Sequence, residues 1–252
     1  MNIHQNLTCH PVSMENQNLA VGGSDSRIGN MGCLFPPSGV CWGLNLKKME
    51  RRQNQTPQGK IARVLVDFLE VAITAVVFLK GIYPSGAFER RRYMNVVVQR
   101  ACHPQLRYYI HATVTGLLPF VQKGMVERVA VIFFNADNVP MEKFVFKLAV
   151  NQAYGSEVEE VDLEFSLRSF LIKLSNSESL CKMLPPDCRW EITAYFRSLP
   201  ETGTSKEADL WIPTDTKQWQ QPPLITPVKS MSSEPLCLQL YLEHPSLSES
   251  LL

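Results

Sequence analysis

Residues 126–148, VERVAVIFFNADNVPMEKFVFKL, contain the strongest secondary-structure signal in the chain. Residues 126–134 are a nearly continuous apolar run, which predicts a central strand that is covered on both faces. The polar tetrapeptide at 135–138 predicts a hairpin turn. Across residues 143–148, Phe and Leu alternate with Lys and Val, so we expect a partner strand after the turn. An antiparallel hairpin therefore forms the centre of the predicted sheet.

Two stretches before this hairpin have the apolar spacing of buried helices. Apolar residues recur every three or four positions across residues 61–79, and Gly81 and Pro84 follow where this helix is expected to end. A second helix is predicted to begin at Pro104, because the N–H that proline lacks has no partner at a first helical position. Its apolar face extends to Gly124, which is expected to close it.

A third helix and two further strands are predicted after the hairpin. Ser156 and Glu159 form a capping-box pattern at the start of the helix. Its predicted inner face consists of Leu163, Leu167, Phe170, Leu171 and Leu174. Alternation of apolar and polar residues across 190–197 and 236–242 predicts the two strands. Three helices packed on a small antiparallel sheet make the expected fold class α+β.

Both ends of the chain lack such patterns. Residues 1–57 are rich in Asn, Gln, Ser and Gly without a sustained apolar period, so we predict a disordered leader. A basic cluster at 47–52 within it is either a nuclear import signal or an ordinary solvated charge cluster. The globular domain is predicted over residues 58–245, followed by a disordered tail at 246–252.

The composition limits the classes of function. The 252 residues carry 25 Lys+Arg against 24 Asp+Glu, a net charge of +1. This balance excludes proteins that coat nucleic acid or membranes through bulk charge. No apolar run reaches the ~18 residues that a membrane span needs, and the N-terminus lacks the pattern of a signal peptide. Seven cysteines without repeated spacing favour reduced thiols, so we expect the nucleus or the cytoplasm.

Motifs for catalysis are not recognisable in the sequence. It has no phosphate-binding loop, no dinucleotide fingerprint, no zinc-protease helix and no nucleophile elbow. Cys102 and His103 could form a thiol–imidazole pair, but a turn before a helix is the favoured interpretation. Residues 90–92 are three arginines that suit either nucleic acid or a solvated basic turn, and the turn is favoured. We therefore expect no enzyme activity, no cofactor, no metal and no direct contact with nucleic acid.

The segment before the last predicted strand combines prolines with large apolar residues. Residues 200–227 contain five prolines together with Leu210, Trp211, Trp219 and Leu224. Leaving such aromatic side chains in water is costly. We therefore expect this segment to lie across the domain as an ordered strap.

Several motifs of the domain, in a fixed order between residues 60 and 243, are familiar from one protein family. They are Phe68–Ala72, Ile82–Phe88, Tyr93–Gln99, Cys102–Pro104, Val139–Phe146, Leu224–Ser233 and Gln239–Tyr241. Together they resemble the HORMA family, and most narrowly its accessory subunits of translesion DNA polymerase zeta. The resemblance implies a HORMA fold, in which a C-terminal safety belt, here about residues 200–243, closes around an extended partner peptide.

The resemblance also implies which residues contact partners. Tyr109 and Trp211 match aromatic residues that bind the peptide, although either could otherwise be an ordinary core residue. The face that docks the C-terminal domain of the inserter translesion polymerase is matched by Leu224, Gln239 and Tyr241.

Arg168 matches a position on the third helix that pairs with a second HORMA domain, as a homodimer or heterodimer. The alternative is an ordinary surface arginine. The implied function is a non-catalytic adaptor that clamps a Pro-rich peptide of the polymerase zeta catalytic subunit. The rival hypothesis is a spindle-checkpoint or meiotic-axis regulator that binds closure-motif peptides.

Overall fold

The computed structural model describes residues 5–9, 56–154, 160–176, 184–185, 187–198, 211–214, 219 and 222–245. The helices within these ranges are α1 (Pro57–Leu79), α2 (Pro104–Thr115), α3 (Leu118–Gln122) and α4 (Glu160–Ser175). The strands are β1 (Gln5–Cys9), β2 (Phe88–Tyr93), β3 (Val96–Ala101), β4 (Val126–Phe134), β5 (Pro140–Val150), β6 (Arg189–Phe196), β7 (Ile212–Pro213), β8 (Leu224–Ser233) and β9 (Leu236–His244).

Seven of these strands form one sheet, in the order β7-β1-β6-β4-β5-β9-β8. Each neighbouring pair is antiparallel. Strands β2 and β3 form a separate two-stranded sheet. The hairpin predicted from residues 126–148 is β4 and β5, and it lies in the interior of the seven-stranded order. The predicted strands at 190–197 and 236–242 are β6 and β9.

Strand β4 is covered on both faces, as the continuous apolar run predicts. Val129, Val131 and Phe133 belong to the main core cluster, which also includes the buried residues of the helices. The alternating positions Ala130 and Ile132 belong to a second, smaller cluster on the other face. A strand with apolar neighbours on both faces contributes to two cores at once, which explains why its sequence does not alternate.

Helix α1 is the longest helix that the structure describes and is buried along most of its length. The Thr56 hydroxyl accepts a hydrogen bond from the Gly59 backbone N–H at 3.1 Å, which caps the helix. The helix itself begins at Pro57, four residues before its predicted start. Beyond the C-terminus, Gly81 has a φ of +64°, a conformation that glycine adopts without strain. The inner faces predicted for α1 and α4 are confirmed, since their predicted positions are buried except for Leu79, which is partly exposed at the end of α1.

The single helix predicted from Pro104 to Gly124 is wrong, because two helices occupy this stretch. Helix α2 ends at Thr115 and α3 begins at Leu118. Pro119 lies in the first turn of α3, where its missing N–H is tolerated. Inside a continuous helix the same ring would clash with the carbonyl of the residue four positions earlier. The proline therefore sets the break, and the apolar spacing alone conceals it.

The prediction of a fully disordered leader is also wrong at one place. Residues Gln5–Cys9 form strand β1 in the large sheet, between β6 and β7. Their composition is polar and carries no strand signal, so local pattern does not identify them. The basic cluster at 47–52, the capping box at 156–159 and the tail at 246–252 lie outside the described residues.

The arginines at 90–92 lie on a strand rather than in the expected basic turn. They belong to β2, which is paired with β3 and whose arginine side chains are exposed. The turn itself consists of Met94 and Asn95, both with positive φ. The Arg91 Nε donates to the Glu89 carboxylate at 2.9 Å, and this hydrogen bond lowers the pKa of Glu89.

A buried ion pair joins the end of α1 to the sheet. The Lys80 ammonium donates to the Glu142 carboxylate of β5, and both side chains are buried. The same ammonium lies 5.8 Å from the ring centroid of Phe133 and 5.3 Å from that of Phe144. A buried charge needs such a partner, since an unpaired one would be strongly destabilising. The pair therefore constrains where α1 lies on β4 and β5.

The buried face of α1 provides the first testable prediction. Leu69 is fully buried, so Leu69→Ala should lower the free energy of unfolding by ~2–5 kcal/mol through lost contacts and the cavity left behind. Arg63→Ala, at an exposed position of the same helix, is the matched control and should change it by less than ~0.5 kcal/mol. Chemical denaturation of both variants measures the difference. Equal losses would contradict the assignment of the inner face.

Candidate functional site

Trp219 of the belt packs on the face of the sheet opposite the helices. In sequence it lies between β7 and β8, which are at opposite ends of the sheet order. The Lys143 ammonium of β5 lies 5.0 Å from the centroid of its ring. Its indole N–H donates to the Glu243 carboxylate of β9 at 3.1 Å. Lys143 is paired in register with Ile132, whose side chain belongs to the second cluster, so Trp219 lies on that face.

Trp219 also changes the environment of the lysine that it covers. Lys143 is buried, and this burial lowers the pKa of its ammonium from the ordinary value. The neighbouring Glu243 carboxylate opposes the effect and raises the pKa. The aromatic ring, the cation and the carboxylate thus form one contact that attaches the belt to the outer face of the sheet.

A strand position exists between the core of the sheet and the belt. We call it the strand slot, and define it as the position between β6 and β7 that Gln5–Cys9 occupies. The occupant pairs with β6 over five residues, from Gln5 opposite Phe196 to Cys9 opposite Ile192. On its other side, Leu7 is opposite Pro213 and Thr8 is opposite Ile212 of β7. The slot therefore binds an extended segment through backbone groups on both sides.

Tyr109 contacts the first half of β6. It lies on α2 and is 8% exposed. Its hydroxyl accepts a hydrogen bond from the Ile192 backbone N–H at 3.2 Å. Its ring packs edge-on against Trp190, with centroids 5.4 Å apart, and the indole N–H of Trp190 donates to the Tyr83 hydroxyl. An aromatic side chain that bonds the backbone of β6 helps to fix the strand that borders the slot.

Trp211 contacts the other end of β6. It directly precedes β7 and is 5% exposed. Its ring packs edge-on against Phe196, with centroids 6.3 Å apart. Gly116, directly after α2, lies beside this indole, since a Cβ there would be 3.5 Å from the Nε1, an ordinary contact distance. The two predicted peptide-binding aromatics thus lie at opposite ends of β6, and both belong to the main core cluster. Their contact with a peptide stays a prediction.

The β8–β9 hairpin carries the residues predicted to bind a second partner. The buried residues of β9 on the helix side are Leu236, Leu238, Leu240 and Leu242. Gln239 and Tyr241 alternate with them, so they lie together on the outer face. Tyr241 packs against the second cluster, and its partial burial raises the pKa of its phenol. The structure thus brings two of the three predicted residues together.

Leu224, the third residue, lies at the far end of the hairpin. It is exposed and lies opposite His244, whereas Tyr241 lies opposite Pro227. Strand alternation places its neighbour Ile225, and not Leu224, on the face of Tyr241. Ile225 is also exposed, and it lies opposite Glu243. It is a candidate contact that motif matching does not single out, since only the register reveals its face.

Arg168 lies on α4 between two exposed apolar side chains. Phe165 is 72% exposed and Ile172 is 43% exposed. Because residues three and four apart lie on one face of a helix, the three side chains form a continuous surface. The Nε of Arg168 is buried and finds no hydrogen-bond partner within the part of the chain that the structure describes. This helix face therefore combines apolar area with an unused donor.

Other features that the sequence raised do not combine into a reactive centre in the described residues. The Cys102 thiol donates to the Gly86 carbonyl at 3.3 Å. Across those residues, no three His, Cys, Asp or Glu side chains group as a metal site would require. Among the described helices, none is both long and apolar enough to cross a membrane. A cavity of about 370 Å³ lies between α1, the β2–β3 hairpin and α2. Its lining includes Glu70, Thr74, Tyr93, Arg100, Arg107 and Ile110.

The contact made by Trp219 gives the second prediction. Trp219→Ala removes the ring above Lys143 and the hydrogen bond to Glu243, and should lower the free energy of unfolding by ~1–2 kcal/mol. Trp219→Phe keeps an aromatic ring and loses only the donor, so its loss should be smaller. Denaturation curves of both variants compare the two contributions. An unchanged stability in the alanine variant would show that the belt does not depend on this contact.

Comparison with protein-family models gives one match that covers more than half of the chain. Residues 62–205 match the HORMA domain. The polymerase zeta processivity subunit of Arabidopsis thaliana is 68% identical over 200 residues, which cover 79% of this chain and 93% of that protein. The human mitotic spindle assembly checkpoint protein MAD2B is 32% identical over 190 residues, which cover 73% and 90%.

Solved structures give the same fold at low sequence identity. A chain of the mitotic checkpoint complex matches with a TM-score of 0.62 at 14% identity, over 73% of this chain and 98% of that one. Caenorhabditis elegans HTP-2, solved bound to the HIM-3 closure motif, matches with a TM-score of 0.62 at 10% identity, over 76% and 92%. The predicted α+β HORMA fold is confirmed, and the chain belongs to the HORMA-domain family.

Proposed function

We propose that this protein is a non-catalytic adaptor subunit of translesion DNA polymerase zeta, acting in the nucleus and also present in the cytoplasm. It clamps a Pro-rich peptide of the catalytic subunit under its belt and bridges to the inserter polymerase during damage bypass. The observation that carries the proposal is the strand slot between β6 and β7, together with 68% identity to a polymerase zeta processivity subunit. That identity supports an accessory-subunit role.

The geometry of the slot supports peptide clamping. An extended peptide between β6 and β7 would pair its backbone on two sides, and the belt would enclose it. The belt is attached beyond the slot at two places, through Trp211 against Phe196 and through Trp219 against Lys143. A ligand could leave only after these contacts open, so slow dissociation is expected.

The outer face of the β8–β9 hairpin supports a second partner. Gln239, Tyr241 and the exposed Ile225 lie on this face, and the exposed Leu224 lies at the end of the hairpin. The backbone of β9 is paired on both sides, with β5 and with β8, so the second partner would bind through side chains. Two partners on separate surfaces allow one small domain to bridge two polymerases.

The exposed face of α4 supports pairing with a second HORMA domain. Phe165 and Ile172 supply apolar area around Arg168, whose buried Nε could donate to an acceptor on the other domain. Aromatic residues and arginines contribute disproportionately to protein interfaces. This pairing would not involve the belt, because α4 lies outside it.

A second candidate function is a spindle-checkpoint or meiotic-axis regulator that binds closure-motif peptides. It is favoured by the 32% identity to proteins named for the mitotic spindle assembly checkpoint. The much higher identity to a polymerase zeta subunit ranks it below the adaptor. Co-purification with tagged protein separates the two, because the adaptor would retain polymerase subunits and the regulator would retain cell-division proteins.

The third prediction concerns the peptide clamp. Trp211→Ala should weaken binding of the Pro-rich peptide by at least about thirtyfold, because flat aromatic surfaces supply much of the binding energy at interfaces. Tyr109→Ala should have a similar effect, whereas Tyr109→Phe keeps the ring and should bind within a few-fold of wild type. Calorimetry measures the affinity, and melting curves of the free variants show whether they are folded. Folded alanine variants with wild-type affinity would contradict the clamp.

The fourth prediction separates the two partner surfaces. Leu224→Ala combined with Tyr241→Ala should abolish docking of the inserter polymerase domain, because it removes Tyr241 from the outer face and the exposed Leu224 from the end of the hairpin. Peptide clamping should remain, since these side chains lie far along the sheet order from the slot. Ile225→Ala alone should also weaken docking. Simultaneous loss of both partners would mean that these residues hold the belt in place.

The fifth prediction concerns pairing through α4. Phe165→Ser should reduce self-association or pairing with a second HORMA domain, because it removes a large exposed apolar side chain from the interface. Arg168→Ala should do the same by removing the donor. Lys173→Ala, on the last turn of the helix, is the control. Sedimentation velocity measures the association, and equal behaviour of all variants would contradict this role for α4.

A further inference from the structure

The strand slot is already occupied by the protein itself. We infer that the N-terminal segment Gln5–Cys9 is an internal ligand of the slot, bound in cis and displaced when a partner peptide binds. The internal pairing rests on the sheet alone, whereas the competition with a partner rests on the function proposed above. The segment lies far outside the residues that match the family model, which begin at residue 62.

Two-sided pairing makes the segment a ligand rather than an added edge strand. All five of its residues are in register with β6, and Leu7 and Thr8 are in register with β7 as well. A terminal strand that merely extended a sheet would pair on one side and leave a new edge open. This one lies between the core and the belt, where an enclosed peptide would lie.

The pairing of β7 with the sheet also depends on the strand in the slot. Among the described residues, β7 pairs only with β1, so β7 joins the sheet through this segment. Removing β1 would leave backbone groups of both β6 and β7 without those partners, which is costly away from water. An internal strand would therefore keep the slot paired while no partner is bound.

Covalent connection favours the internal ligand, and its short length makes it replaceable. Residues 10–55 link it to α1, so its local concentration does not fall when the protein is diluted. It pairs with β7 at only two residues. A longer peptide could pair its backbone at more residues than the five of β1. The apparent affinity for that peptide is then the intrinsic affinity multiplied by the fraction of slots that are open.

Hydrogen exchange on the full chain tests the internal ligand without any partner. Thr8→Pro removes the backbone N–H of a residue paired on both sides and should release the strand. Among residues 192–196, the amides that donate to β1 should then exchange at least about tenfold faster, whereas those of β5 should not change. Ser13→Pro lies outside the paired stretch and is the matched control. Unchanged exchange across 192–196 in Thr8→Pro would overturn the inference.

Dilution distinguishes an internal strand from one donated by a second copy. Protection of residues 192–196 in the wild-type chain should stay constant over an about hundredfold dilution, because binding in cis does not depend on concentration. Protection that disappears on dilution would overturn the inference and assign the strand to another molecule.

Peptide binding tests the competition. The Pro-rich segment of the polymerase zeta catalytic subunit should bind Thr8→Pro about tenfold more tightly than wild type or Ser13→Pro, measured by calorimetry. Equal affinity for all three would overturn the competition. A peptide that binds none of them would count against the proposed function, and the exchange experiment would still decide whether the segment occupies the slot.

Discussion

The outer edge of β6 is the constraint on which the functional part of this structure depends. One side of β6 is paired with β4 in the interior of the sheet, and the backbone groups on its other side also need partners. The Tyr109 hydroxyl accepts a hydrogen bond from the Ile192 backbone N–H, and β1 pairs with β6 from Ile192 to Phe196. In this structure β1 supplies the extended segment that pairs with the edge, and β7 pairs with the other side of β1.

The belt contacts the sheet at both of its ends. Within the described residues, the belt forms β7 next to the slot, contacts the face opposite the helices at Trp219, and forms β8 beside β9. Its anchors are on both faces of the sheet, since Trp211 packs in the helix-side core and Trp219 covers Lys143 on the outer side. One continuous segment therefore borders the slot at β7 and forms the edge of the sheet at β8.

Local pattern predicted the elements that bury many apolar side chains. Strand β4 and helices α1 and α4 lie close to where their sequences place them, because burial on a defined face imposes a period on the residues. The pattern did not reveal the break at Pro119, since apolar spacing continues across it. It also did not identify β8, whose sequence Leu224–Ser233 mixes apolar and polar residues without regular alternation and whose place in the sheet depends on backbone pairing with β9.

The sequence by itself determined the family, the α+β class and the identity of the aromatic residues around the slot, because these depend on side-chain types in a fixed order. Tertiary structure alone decided that Gln5–Cys9 lies between β6 and β7, and that Ile225, not Leu224, shares a face with Tyr241. The physical reason is that strand pairing uses backbone groups that nearly all residues share. Register and partner choice between distant segments therefore leave little trace in the local sequence.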